Sequence, residues 1–327
     1  MRVFITLLMI LSVPLSYAKN DLDHLGFTFE NDAFVRDDGL YSNGLLGSWG
    51  YNDVRRLDKQ TLPAWLAYLA QASYLTALAD KHYAISYSIG QLLQTAIDLS
   101  QDALVEDDAP YAGLLAWKGQ LSAYDELQHD QLSLLLGLVG PASGAEFVQN
   151  RVHEVIGSRA PQGWDHQIKN EFVSRLQGQR LWRFYDLQLE ANEFDLIGGI
   201  HGGFGNYRSD IGAGLGVRWG RDLVKNFLSA SAFPVRKFNH SQNSPHGWYF
   251  FVNVSAFYVA NDIFIDGNTF WDSHSVDLIH QQFSMSAGVM VNIHRWNIFY
   301  TLLHSTDQYH GQNERTRFGS VTVTYNF

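Results

Sequence analysis

Apolar and polar residues alternate with a period of two along most of this chain. At the C-terminus Val321, Val323, Tyr325 and Phe327 alternate with Ser320, Thr322, Thr324 and Asn326. In an extended strand the two sets fall on opposite faces. Ile211, Ala213, Leu215, Val217 and Trp219 alternate with Gly212, Gly214, Gly216 and Arg218; Phe283 to Ile293 repeats the pattern, and Trp248, Phe250, Val252, Val254 and Ala256 form another apolar row. One face is apolar and the other small, polar or glycine, as a wall between lipid and a protein interior requires. The alternation predicts strands near 25–31, 42–51, 82–91, 111–124, 130–139, 180–192, 194–206, 209–220, 246–260, 276–293, 296–307 and 316–327. The predicted fold class is therefore all-β: a twelve-stranded antiparallel transmembrane β-barrel with a few short helices in its loops. Trp49, Tyr51, Trp219, Trp248 and Trp296 lie near segment ends, where interfacial girdles sit. A soluble antiparallel barrel or sandwich is the competing architecture.

Two stretches depart from the period of two. Thr61 to Asp80 reads as a helix with Pro63 in its first turn. It follows the second strand, which places it at the periplasmic end. Leu138 to Glu171 carries a second helix: Ser143 and Glu146 fit a capping box, and Gly157 and Pro161 fit a stop. In it Gln149 and His153 stand four residues apart on one face, beside a stripe of Val148, Val152 and Val155.

Composition narrows the setting. Residues 1–18 combine Arg2, an apolar run and a Ser16-Tyr17-Ala18 end, the pattern of a secretory signal peptide. The expected mature chain, 19–327, is one outer-membrane barrel domain. Without cysteine it has neither disulfides nor thiolate metal sites. The net charge of −10 argues against nucleic acid as a partner. No apolar run after residue 18 is long enough to cross a bilayer as a helix.

An even strand count puts both termini in the periplasm and the loops after odd-numbered strands outside. Those loops hold Asn31 and Asp32 (FENDAF), Tyr41 to Gly44 (YSNG), Asp107-Asp108 with Pro110 to Gly113, and the Gln149–His153 helix. Their polar clusters would share one rim. Arg151, Arg159, Lys169 and Arg175, within the expected loop 140–179, could meet phosphates there, although Glu146, Glu154, Asp165 and Glu171 balance them.

FENDAF, YSNG, DDAPYAG, GPASG with QNRVH, and PQGWDHQIKNE, in this order, resemble the outer-membrane lipid A 3′-O-deacylase family. The motifs run from the first strand to mid-chain. The resemblance implies hydrolysis of the 3′-linked acyl ester of lipid A (lipopolysaccharide) in the outer leaflet, with calcium as cofactor. It places the family's asparagine–aspartate pair on Asn31 and Asp32, its hydroxyl residue on Ser42 and its histidine on His153. One position departs: Ala109 stands where the family would have an arginine.

The residue types suit that chemistry. His153 can act as general base on an attacking water, with Gln149 orienting the imidazole or the water. Asp32 and nearby carbonyls can bind calcium as a Lewis acid on the ester carbonyl. Ser42 is the alternative, as a nucleophile activated by His153. Each feature also has a plainer reading: Asn31-Asp32 and Asn43-Gly44 are ordinary turn residues, and His153 on a surface helix can simply face water. At the level of function, the rivals are a phospholipase using Ser42 and a non-enzymatic channel or adhesin barrel.

Overall fold

A strand in hydrocarbon must pair both edges, and here every strand does. The computed structural model describes residues 22–35, 41–78, 80–156, 161–233, 246–313 and 315–327, so the expected signal peptide lies outside the described residues. Twelve strands run β1 (His24–Asn31), β2 (Tyr41–Val54), β3 (His82–Gln94), β4 (Ala112–Tyr124), β5 (Gln128–Val139), β6 (Glu171–Leu189), β7 (Asn192–Phe204), β8 (Arg208–Arg221), β9 (Trp248–Asp262), β10 (Gln281–Ile293), β11 (Trp296–Ser305) and β12 (Arg317–Asn326). Each pairs antiparallel with its sequence neighbours, and β1 with β12 closes the barrel. His24 lies opposite Asn326, so both ends of the barrel sequence share one rim, here the terminal rim. The opposite end is the distal rim.

Two strands differ from the alternation. β6 begins at Glu171 rather than near 180, because Arg175, Gln177 and Gln179 occupy its lumen row and Ser174 and Gly178 its outer row, which hides the period. β10 begins at Gln281 rather than 276; the preceding residues form a loop with a single bridge, Leu278 to Tyr309. Elsewhere the two faces are as expected. In β8 the outward row Ile211, Ala213, Leu215, Val217 and Trp219 is exposed, while Gly212, Gly214, Gly216 and Arg218 are buried in the lumen.

Chain from both ends fills that lumen. After β8, residues 222–233 turn inward, and Phe227, Ala230, Ala232 and Phe233 pack on Leu181 and Ile197. The glycine row of β8 leaves room for this plug, since a Cβ on Gly214 would strike the Ala232 carbonyl. Arg218 holds the plug: its Nε and Nη2 donate to Asp195 (3.0 and 2.6 Å), and Nη1 and Nη2 donate to the carbonyls of Asn226 (3.3 Å) and Leu223 (3.1 Å). Arg183 Nε donates to the same carboxylate at 2.8 Å. Removing Asp195 would leave two guanidinium groups in a dry interior. Asp195→Ala is expected to cost roughly 3–5 kcal/mol, read as a lower denaturant midpoint of the refolded barrel.

At the distal end a short helix, residues Ile263–Asp266, drops Ile263 and Phe264 among Leu46, Leu92, Leu114 and Val173. Gln94 Nε2 donates to the Phe264 carbonyl (2.7 Å). A cavity of about 290 Å³ remains in the lumen, lined by Phe233 of the plug and Phe264 of the lid together with Lys118, Arg175, His201 and Arg208. Plug and lid both obstruct the path through the barrel, which weighs against the channel reading.

Asp108 ties the distal loops together. It accepts from the Ile97 and Ala109 amides and from the Tyr309 hydroxyl, each at 2.7 Å, while His274 Nε2 donates to its carbonyl at 2.7 Å. Burial and the adjacent Asp108 carboxylate push the Tyr309 phenol far above its usual range. The sequence motif around Asp108 is therefore a structural knot. Ala109 is buried within it among Val259, Ile265, Leu278 and Tyr309, an apolar setting with no place for the family's arginine.

The expected helix at 61–80 is shorter. It spans Ala64–Ala72 (α1), with Pro63 as its N-cap, and a 3₁₀ turn, Tyr74–Ala77, follows. It lies not beyond the barrel's end but against its outer wall: Leu66, Ala67, Ala70 and Leu75 pack on Tyr51, Ile85, Tyr87, Trp117 and Leu121. The Tyr74 hydroxyl anchors the turn to Asp130 of β5 (3.0 Å), which also accepts from Arg180 Nε of β6 (2.6 Å). Among the described residues no helix is long and apolar enough to cross a membrane.

Candidate active site

Strand register decides which side of the wall the rim residues face. Antiparallel partners share a face. Phe27, exposed on the outer wall, pairs with Gly47, then Ile89 and Trp117; one row nearer the distal rim come Phe29, Leu45, Gln91 and Leu115. The next row is Asn31, Asn43, Leu93 and Gly113. Asn31 thus belongs to the lipid-facing side, at its distal edge, and not to the lumen.

The segment after Asn31 stays on that side. A 3₁₀ turn, Asp32–Val35, brings Phe34 against Phe29 (ring centroids 5.7 Å apart) and Tyr300 (6.3 Å), both on outer rows. A Cβ on Gly319, the β12 partner of Asn31, would meet the Phe34 side chain. The turn that begins with Asp32 therefore folds over the outer wall.

Two strands away, the second helix, α2 (Ala145–Ile156), packs on β3 and β4. Gly113 makes this possible: any side chain there would collide with Ala145 and Ser143. Gln91 Nε2 of the outer row donates to the Ser143 carbonyl (2.6 Å). Leu93, Ala96, Tyr111, Ala145 and Trp164 form the apolar seat of the helix, with Trp164 edge-on to Tyr111 at 5.1 Å. The expected capping box does not form. Gly144 intervenes in a left-handed conformation (φ 71°), Ser143 Oγ only approaches the Ala145 amide (3.4 Å), and Glu146 is exposed. The stop residue Gly157 lies outside the described residues, as does the side chain of Val155.

Ala145, Gln149 and His153 are successive i, i+4 positions, so the residue over Gly113 and the candidate base share one stripe of α2. Gln149 is buried, and its Oε1 accepts from Trp164 Nε1 at 2.9 Å. His153 is half-buried, one turn further on. The indole thus fixes the glutamine amide, leaving its NH₂ end as a donor. Trp164 lies in the PQGWDHQIKNE motif, but a bond reaching fifteen residues back across a loop leaves no periodic trace. Gln91 gives no signal in the sequence, and Tyr111 and Gly113, although within the DDAPYAG motif, take their roles from strand register.

The described geometry forms two groups on one panel of wall. Asn31 and Asp32 sit at the end of β1, and Gln149 and His153 sit on the helix over β3 and β4. At about 4.8 Å per strand, β1 lies roughly 10–15 Å along the wall from β3 and β4, the strands under the helix. Ser42 lies in β2 between them, at a bulge separating Tyr41 from Asn43; its side chain is outside the described residues. Among the described residues no three His, Asp or Glu side chains gather as a metal cluster. The donors at the Asp32 turn are a carboxylate, the Asn31 amide oxygen and backbone carbonyls, an all-oxygen set of the kind calcium takes.

The basic residues expected to face phosphates divide differently. Arg175 is in the lumen, ion-paired with Asp210. Arg151 is exposed but pairs with Glu154 (2.7 Å) and lies over the Phe147 ring (5.6 Å). Lys169 is exposed, and Arg159 lies outside the described residues.

Comparison with known proteins agrees with this architecture. A family model described as "Outer membrane protein LpxR" matches residues 3–327. The solved structure of LpxR from Salmonella typhimurium superposes with a TM-score of 0.76 at 17% identity, covering 93% of this chain and 100% of that one. The β domain of the Bordetella autotransporter BrkA gives a TM-score of 0.45 at 10% identity, covering 94% of this chain and 100% of that one. No curated protein matches the chain.

Proposed function

Because the chain belongs to the LpxR family of outer membrane proteins, we propose that it is an outer-membrane esterase that removes the 3′-linked acyl chain of lipid A, working from the outer leaflet at the distal rim. One observation carries the reading: Asn31, the turn begun by Asp32 and the helix bearing Gln149 and His153 lie on the outer side of the barrel wall. Asn31 is in the outer row, the Asp32 turn packs on outer aromatics, and α2 rides on Gly113 of the same wall. A pore or lumenal enzyme would turn such residues inward.

In this reading His153 takes the proton from a water attacking the ester carbonyl, and then returns it to the departing sugar alkoxide. Gln149, fixed by Trp164, orients the imidazole or the water. Asp32, with the Asn31 side-chain oxygen and carbonyls of the turn, would hold calcium, which when bound supplies positive charge beside the developing oxyanion. Ser42 is the alternative to water as the nucleophile, activated by His153.

The test is mass spectrometry of lipid A and phospholipids from cells with and without the protein. Loss of one ester-linked acyl chain from the 3′ position is the expected result. Unchanged lipid A alongside new lysophospholipid would reassign the enzyme as a phospholipase.

A further inference from the structure

Below the rim residues the outer wall is built as a blind groove. Trp49, Tyr87, Trp117 and Trp65 of α1 form a chain of rings across β2, β3, β4 and the helix, with successive centroids 5.9, 5.9 and 5.8 Å apart. Tyr87 and Trp117 are only 3% and 7% exposed, although their strand faces lipid, because α1 covers them. Trp117 shares its row with Ile89, Gly47 and Phe27, one row nearer the rim than Trp49 and Tyr87, and over β1 to β3 that row is open. Ile89 is 39% exposed and Phe27 53%, and a Cβ on Gly47 would have nothing within 4 Å. Glycine in the middle of an outward row forfeits packing and strand propensity; here it leaves a depression between Phe27 and Ile89. The next row toward the rim is Phe29, Leu45, Gln91 and Leu115, and the row after it is Asn31, Asn43, Leu93 and Gly113, the last under α2.

We infer that this groove holds the acyl chain of the ester being cleaved, and that the Trp49–Tyr87–Trp117–Trp65 shelf sets how long a chain the enzyme accepts. The inference rests on the deacylase reading and adds a specificity determinant to it. Its occupant is an acyl chain because the wall is apolar, faces the bilayer and lies two register rows below the candidate catalytic rim. From the Asn31 row to the Gly47 row is four residues, about 13 Å of strand. A zigzag chain of carbon–carbon bonds near 1.5 Å covers that in about ten carbons, within the range of membrane acyl chains. The helix needs no catalytic group for this role; it only has to press an aromatic floor onto the wall.

The experiment measures fatty acids released by purified enzyme in mixed micelles from two lipid A preparations that differ only in 3′-chain length. Gly47→Leu puts a side chain into the depression at a position where an added Cβ meets nothing within 4 Å, and Trp65→Ala removes the outer end of the shelf. Gly47→Leu is expected to lower the long-to-short release ratio on the order of tenfold, the effect of denying about two methylene groups their contacts. Trp65→Ala is expected to raise that ratio. Equal loss at both chain lengths, or full activity with an unchanged ratio in both variants, would overturn the groove assignment and leave the wall a site for ordinary membrane lipid. If wild-type enzyme releases no acyl chain at all, the deacylase reading itself fails and the groove falls with it.

Discussion

Replacing His153 with alanine is expected to slow acyl release by two to four orders of magnitude, the usual contribution of a positioned general base, while the barrel remains folded. The two halves of that expectation have separate grounds. His153 is half-buried on a helix seated through Leu93, Ala96, Tyr111, Ala145 and Trp164 over Gly113, and position 153 is not part of that apolar seat. Stability of the barrel resides instead in its twelve-strand closure and in the Arg218–Asp195 plug. Denaturant midpoints should therefore match wild type within the usual surface-substitution range. His153→Asn, which keeps a polar side chain but no base, should be nearly as slow as alanine. Ser42→Ala then separates the two nucleophiles. A water mechanism predicts a modest loss for Ser42→Ala and no accumulating acyl-enzyme, whereas a serine mechanism predicts a loss as deep as that of His153→Ala. A His153→Ala enzyme with near-normal turnover would remove the histidine from the chemistry.

Much of the architecture was legible because each barrel face meets a uniform environment. Where the lumen row is glycine and the outer row aliphatic, as in β8, the alternation locates the strand almost to the residue. Where both rows turn polar, as at Ser174 to Gln179, the signal disappears, and nine residues of β6 read as loop. Misplacing those residues carried Arg175 into a phosphate-binding role, whereas it is a lumenal partner of Asp210. The presence of α1 was legible but its position was not. A segment apolar but for Gln71, AWLAYLAQA, has no polar stripe to say which way is out, so its packing on a lipid-facing wall depends on Tyr87 and Trp117 from distant strands.

The candidate site divides along the same line. The resemblance of five ordered motifs to the deacylase family implied Asn31, Asp32, Ser42 and His153, helix spacing set Gln149 beside His153, and strand parity put them on one rim. Which side of the wall they occupy was not legible, because a shift of one residue in register reverses the answer. The Asn31–Asn43–Leu93–Gly113 row settles it for Asn31, and the contacts of Phe34 and Ala145 extend the answer to the turn and the helix. Asp108 shows the converse. A motif acidic residue that looked like part of the site turned out to hold three loops together through two backbone amides, Tyr309 and His274.

Asp32 carries the second large expected effect. Asp32→Asn should retain the turn, since asparagine serves turn positions as well as aspartate and the packing of Phe34 on Phe29 and Tyr300 is untouched. The substitution removes the formal charge on which a divalent cation at this turn would depend. Activity at limiting calcium should then fall by about two to three orders of magnitude, the range for losing one electrostatic stabiliser of an oxyanion, and saturating calcium should restore part of it. Asp32→Ala should show the same loss with little or no restoration. For wild-type enzyme, a chelator should abolish release and added calcium should recover it, with magnesium a poorer substitute because it demands a tighter octahedral shell. Direct calcium binding, followed by calorimetry on the folded barrel, gives a readout independent of turnover: the Asn variant should bind more weakly and the Ala variant more weakly still. Turnover indifferent to chelation, together with near-normal activity in Asp32→Asn, would confine Asp32 to shaping the turn and leave His153 and the lipid-facing wall to account for catalysis without a cation.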